Sequence, residues 1–314
     1  MNKKFAILFP GSGVQVKGMG KDIYNKFSTA KDIYDQAEEI TPFDTKKISF
    51  SDYQGGLEKI ESFQTVSVVF DLAIFKTLES NGLTPTVVSG LSLGQFAGIY
   101  ASKMLNLKDI LDLVMFFSKC IATILNRSKG RIYITRKVPL KSLNKLLQAS
   151  NGKASLISEN STTSMVYGGD AQISEQIKNK LNNLGYAEII EIPNIPPVHT
   201  KMANSLANGM SNYLDTLNWH NNQIPLISDT DAIFINKNNV KQAILKQLLS
   251  GTHFINSIKK ILSMGITNLV CIGPGDTIPT FVKDIADNLG LAINLYNIAN
   301  SDDLLQVITD LTSK

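Results

Sequence analysis

Five consecutive apolar residues, Phe5-Ala6-Ile7-Leu8-Phe9, open the chain and are closed at once by Pro10-Gly11, which has the length and character of one buried strand. Residues 65–80 (TVSVVFDLAIFKTLES) have helical length and end on Asn81-Gly82, a helix stop signal. The β-branched run Thr86-Val87-Val88-Ser89 predicts a short strand. It passes through Gly90-Leu91-Ser92-Leu93-Gly94 into helical patterns over 95–104 and 107–125.

The pattern changes after Ser128-Lys129-Gly130. Residues 131–135 predict a strand, 139–149 a helix, 154–160 and 164–168 two strands, 171–184 a helix and 187–192 a strand, with Gly152, Gly168-Gly169 and Gly185 as punctuation. The order βαββαβ is the split pattern of a ferredoxin-like unit. Beyond Pro193-Asn194-Ile195-Pro196-Pro197 the alternation resumes with a strand at 224–227, helices at 240–249 and 254–264, and a strand at 267–272. Gly273-Pro274-Gly275 then leads into a helix from Asp276. Strands alternating with helices imply a mainly parallel sheet covered on both faces. The expected fold is therefore α/β: a large parallel-sheet domain, residues 1–127 and 196–314, carrying an inserted ferredoxin-like small domain at 128–195.

Composition narrows the function classes. At 314 residues and 43% hydrophobic, the chain can bury one large core and a small second one, as a globular enzyme does. A net charge of +4 spread over dispersed lysines is no nucleic-acid-binding face, although it suits a small acidic protein partner. Arginine occurs only at Arg127, Arg131 and Arg136. Cys120 and Cys271 lie far apart in apolar runs and read as buried free thiols in a reducing, cytoplasmic setting. Met1-Asn2-Lys3-Lys4 has the charge of a leader but too short an apolar run after it, and no later stretch has the length of a membrane span. A soluble protein that does not engage membranes is expected.

The strongest chemical signal is Gly90-Leu91-Ser92-Leu93-Gly94 between a predicted strand and a predicted helix, the setting in which G-x-S-x-G forms a nucleophile elbow. The glycines permit a tight turn that lifts the Ser92 hydroxyl over a helix N-terminus, where backbone N–H groups favour developing negative charge. The bland alternative is a βα turn with a capping serine. A hydroxyl nucleophile needs a base, and the histidines are His199, His220 and His253. His220 lies in a polar, Asn-rich stretch and His253 at a helix start, which suits surface or capping roles. His199 follows the rigid Pro196-Pro197 and opens a helical run over 199–202, so it is the favoured base. The loop Phe9-Pro10-Gly11-Ser12-Gly13-Val14-Gln15 is no nucleotide motif, because Val16 stands where G-x-G-x-x-G needs glycine and Met19 where a P-loop needs lysine. It can instead supply a backbone donor beside the sheet edge.

In this order these pieces resemble the malonyl-CoA:acyl carrier protein transacylase family, over nearly the whole chain. Residues 9–15 resemble its F-P-G-Q-G-x-Q opening, Gln64 its T-Q-P glutamine, and residues 90–94 its G-H-S-x-G elbow. Asn160 resembles the N-x-N segment, His199 the family histidine and Gly273-Pro274-Gly275 the late G-P-G turn. The resemblance implies an α/β-hydrolase-like core with a ferredoxin-like insert, Ser92 as the acylated nucleophile and His199 as its base. It further implies an oxyanion hole from the N–H groups of Ser12 and Leu93, and a main-chain carbonyl within 248–252 holding the other histidine nitrogen. Gln64, Leu91, Phe117 and Asn160 are the expected substrate-contacting residues. The implied partners are an acyl carrier protein and an acyl-CoA or acyl-carrier-protein thioester, with neither cofactor nor metal.

The departures bear on the substrate. Ser12 stands for the family glutamine, Leu91 for the histidine before the nucleophile, and Gln95 for the glutamate after the elbow. Phe117 stands where the family places the arginine that grips malonate. Burying a carboxylate without a cation costs several kcal/mol, so a neutral acyl group, acetyl or longer, is expected instead. Three functions fit: transfer to a carrier protein, hydrolysis of stalled acyl groups from a carrier protein in a polyketide system, or a degenerate binding subunit. Retention of both Ser92 and His199 speaks against the last.

Overall fold

Residues 3–127, 130–193 and 195–313 are described by the computed structural model. Their strands are β1 (Phe5–Phe9), β2 (Val87–Gly90), β3 (Gly130–Arg136), β4 (Ala154–Glu159), β5 (Ser164–Asp170), β6 (Ile189–Ile192), β7 (Leu226–Ile227), β8 (Phe234–Ile235), β9 (Asn268–Ile272) and β10 (Asn294–Ile298). Six form one sheet in the order β10-β9-β1-β2-β7-β8, parallel except for β8 at its edge. β1 is central and buried at all five positions, as a strand covered on both faces requires. Its alternate side chains feed two cores. Phe5, Ile7 and Phe9 pack with the helices Ile60–Ser80 and Leu107–Arg127, whereas Ala6 and Leu8 pack with Phe254–Ser263 and Thr277–Leu289.

The remaining four strands make an antiparallel sheet in the order β4-β5-β3-β6. With the helices Leu140–Gln148 and Ala171–Asn183 this is the βαββαβ unit expected from the sequence. One face, carrying Tyr133, Met165 and Tyr167, is buried beneath the two helices. The opposite face carries Ile132, Ile134, Val166 and Ile192. A bulge between Leu156 and Ser158 turns β4 toward the large sheet's side of the molecule, where Ser158 bridges Thr252. Gly251 is needed at that junction, because a Cβ there would lie 2.5 Å from the Leu156 carbonyl oxygen.

Several elements differ from the expectation. The helix predicted from residue 65 begins at Ile60, since its apolar residues continue all round rather than along one stripe. The helix predicted over 95–104 stops at Ala101, where Lys103 adopts a φ of 65° that no helix accommodates. The helix after the elbow runs to Arg127, making that arginine its last residue rather than a loop residue. Cys120 is half-buried rather than buried, being on the flank of the stripe formed by Val114, Phe117 and Ile121. Of three helices without a sequence assignment, Ser28–Ile40 and Thr45–Ser51 pack beside Ile60–Ser80, and Lys21–Lys26 packs on those two. Among the described residues no helix is long and apolar enough to cross a membrane. Ser128, Lys129 and Asn194 lie outside the described residues.

Candidate active site

Ser92 sits at the C-terminal end of β2, before the helix Gly94–Ala101, with a φ of 51°. Such a backbone is strained for a non-glycine residue. Both flanking glycines are sterically required. A Cβ on Gly90 would lie 2.1 Å from the Gly94 carbonyl carbon, and one on Gly94 would lie 2.5 Å from the Phe9 carbonyl oxygen. The elbow is thereby pressed against the end of β1.

His199 also has a positive φ, 60°, and is buried. Its Nε2 lies 2.8 Å from Ser92 Oγ. Its Nδ1–H donates to the Gln247 carbonyl, which fixes the tautomer so that Nε2 accepts the serine proton. This carbonyl precedes the expected 248–252 stretch by one residue, because the Leu248 carbonyl is already taken by the His199 main-chain N–H. Burial lowers the His199 pKa below the ordinary histidine value, opposed by the Gln247 carbonyl, so the ring is held as a neutral base. The predicted helical run at 199–202 is a 3₁₀ helix, Lys201–Leu206, capped by Thr200. His220 is exposed. His253 precedes the helix Phe254–Ser263 but makes no capping bond; its Nδ1 lies 2.9 Å from Glu159 Oε2 instead.

Two residues that the motifs do not reveal tie the pair together. The Asp229 carboxylate accepts the Ser92 main-chain N–H at 2.6 Å and the Gln247 side-chain amide at 2.9 Å. The same amide donates to the Ser92 carbonyl at 3.1 Å, while the Gln247 main chain holds His199. Burial raises the Asp229 pKa to about 7, against the lowering effect of the Ser92, Gln247 and Thr230 hydrogen bonds. The available signal was positional: Asp229 follows β7 at the C-terminal edge of a parallel sheet, where ligand sites gather.

A cavity of about 180 Å3 opens at Ser92 and His199. Ser12, Gln64, Leu91, Phe117 and Asn160 line it, whereas Leu93 is buried beside it at the N-cap of the elbow helix. Among the described residues no acceptor takes the N–H of Ser12 or Leu93, so both donors are free. Gln64 is held by Ser118, whose hydroxyl donates to Oε1 at 2.6 Å, and its Nε2 reaches Ser12 Oγ at 3.4 Å. Asn160 Oδ1 accepts from Ser158. Phe117 packs on Phe96 with ring centroids 4.9 Å apart, and among the described residues no lysine, arginine or carboxylate lines the cavity. The late G-P-G turn packs on the first loop, with a Cβ on Gly273 falling 3.2 Å from Pro10 Cγ.

Comparison with known proteins agrees with this fold. The malonyl CoA-acyl carrier protein transacylase of Staphylococcus aureus is 24% identical over 286 residues, covering 90% of this chain and 92% of the relative. That of Bacillus subtilis is 25% identical over 289 residues, covering 90% of each. Among solved structures, the Streptococcus pneumoniae MCAT superposes with a TM-score of 0.90 at 24% identity over 98% of this chain and 100% of that one. The Xanthomonas oryzae malonyl-CoA:acyl carrier protein transacylase superposes with a TM-score of 0.93 at 21% identity over 100% of both. Residues 6–259 match the acyl transferase domain family, and the chain, an acyltransferase, belongs to it.

Proposed function

We propose that this acyltransferase takes a neutral acyl group from a CoA or carrier-protein thioester onto Ser92 and passes it to an acyl carrier protein. The observation that carries the reading is the 2.8 Å approach of Ser92 Oγ to His199 Nε2 at a cavity that, among the described residues, no cation lines. Ser92 Oγ attacks the thioester carbonyl while His199 Nε2 takes its proton. The oxyanion that forms is met by the N–H groups of Ser12 and Leu93. The C–S bond then breaks, and the departing sulfur receives the proton from His199. A carrier-protein thiol reverses the sequence, giving its proton to His199 and regenerating the serine. Gln64, Leu91, Phe117 and Asn160 contact the acyl group. A solved complex of a malonyl-transacylase with a type II PKS acyl-carrier protein, 19% identical with a TM-score of 0.92 over 98% of this chain and all of that one, supports the choice of acceptor.

We read residues 1–127 and 196–314 as the large domain and 128–195 as the small one, with the acyl cavity between them. Phe117 occupies the place where a malonyl carboxylate needs a partner, and an unpaired buried charge costs several kcal/mol. Lys119 is exposed, and Arg127 lies nearly three helical turns beyond Phe117. Intact-mass measurement after mixing with a short acyl-CoA is expected to show one ester, absent in Ser92→Ala and formed roughly 10²- to 10⁴-fold more slowly in His199→Ala. An ester that persists in Ser92→Ala removes the nucleophile assignment. Following free acid and acyl-carrier product separately in the same reaction distinguishes transfer from hydrolysis.

A further inference from the structure

An antiparallel sheet with helices on one side ordinarily presents polar residues on the other. The small sheet does not. Its helix-free face is aliphatic and β-branched, built from Ile132, Ile134, Ile157, Val166 and Ile192. All five line the cavity that begins at Ser92 Oγ, facing an opposite wall that includes Phe117 and Ile121. Nearby polar side chains are engaged with one another: Thr252 Oγ1 donates to Ser158 Oγ at 2.7 Å, and Ser158 Oγ donates to Asn160. They place no charge on the aliphatic wall.

The size of the space is informative. The cavity is open at one end, where a thioester arm can enter, and its aliphatic wall extends beyond the reach of an acetyl group on Ser92. An apolar cavity of about 150 Å3 takes a benzene molecule; this one is about 180 Å3. Resting on the ester proposed at Ser92, we infer that the acyl group carried there is a hydrocarbon chain of about six carbons or more, lying along the isoleucine face of the small sheet. The small domain then selects the acyl chain, while the large domain performs the chemistry. The transfer itself is unchanged: Ser92 Oγ bonds to the acyl carbon, the C–S bond breaks, and the hydroxyl proton reaches the leaving sulfur through His199.

The test is a chain-length series on the intact protein. Acetyl-, butyryl-, hexanoyl- and octanoyl-CoA are compared by the kcat/KM of Ser92 ester formation, read by rapid-quench intact mass. Each buried methylene contributes roughly fourfold, so hexanoyl is expected to exceed acetyl by on the order of a hundredfold. Ile192→Phe, at a half-buried position on β6, narrows the cavity and is expected to lower the octanoyl-to-acetyl ratio at least tenfold. Equal rates from acetyl to octanoyl overturn the chain inference and leave the Ser92 reading standing. A ratio unchanged by Ile192→Phe also overturns it, and no ester from any of the four overturns both.

Discussion

Asp229 shows how one side chain can set the geometry of two others. Its carboxylate takes the N–H of the strained Ser92 and the amide of Gln247, whose main chain in turn aims His199. Asp229→Ala leaves the Ser92 N–H buried without its acceptor, at about 1–3 kcal/mol, while the Gln247 amide keeps the Ser92 carbonyl. Ionisation of the same group also links stability to pH. Its pKa is raised by burial to about 7 in the folded protein, from an ordinary carboxyl value of 3.8, so the folded state binds more protons between those values. That contribution to stability is fully present below the unfolded value and is lost as pH rises through about 7. Asparagine carries no such proton. The Tm of Asp229→Asn minus that of the wild type is therefore expected to become more positive from about pH 5 to about pH 8, as followed by thermal denaturation in a pH series; a flat difference contradicts the burial argument.

At the scale of elements, the strand-elbow-helix unit was legible because its chemistry is local. Gly90, Ser92 and Gly94 must be adjacent in sequence to make the turn, so the motif and its flanking pattern suffice. The βαββαβ unit was legible for the same reason: each strand alternates over its own few residues. Other parts depend on approach in space. Asp229, Gln247 and Ser118 meet the dyad or Gln64 across long stretches of chain, and nothing in their immediate neighbours marks them. The helix Ser28–Ile40 does carry a readable stripe, Ala30, Ile33, Tyr34 and Ala37, but its small and polar neighbours dilute the signal. The elbow's tolerance can be tested at Gly94, where an added Cβ meets the backbone oxygens of Phe9 and Pro10 at 2.5 and 2.6 Å. Backbone cannot swing aside as a side chain can. Gly94→Ala is expected to cost about 2 kcal/mol or more in urea denaturation and to abolish ester formation, whereas a wild-type-like variant would show that the β1–elbow contact is looser than described.

At the scale of the whole molecule, two sheets with different tasks share one cavity. The parallel sheet brings the Ser12 loop, the Ser92 elbow and Asp229 to the C-terminal ends of β1, β2 and β7, where strand ends and helix N-termini supply donors. The antiparallel sheet adds an aliphatic wall and is anchored by the Ser158–Thr252 bridge and by Thr162, whose hydroxyl donates to Asp284 at 2.6 Å. Between them Phe117 lines the cavity and packs on Phe96. The proposed selectivity is one of charge: an uncharged acyl group is expected to be accepted and a carboxylate rejected, because among the described residues no cation lines the cavity. The most direct test is the kcat/KM for Ser92 ester formation from malonyl-CoA and butyryl-CoA, measured side by side on the wild-type protein. Butyryl-CoA is expected to be favoured by at least about a hundredfold, the equivalent of an unpaired buried charge costing a few kcal/mol; malonyl-CoA reacting as fast or faster would contradict a cavity selective for neutral acyl groups.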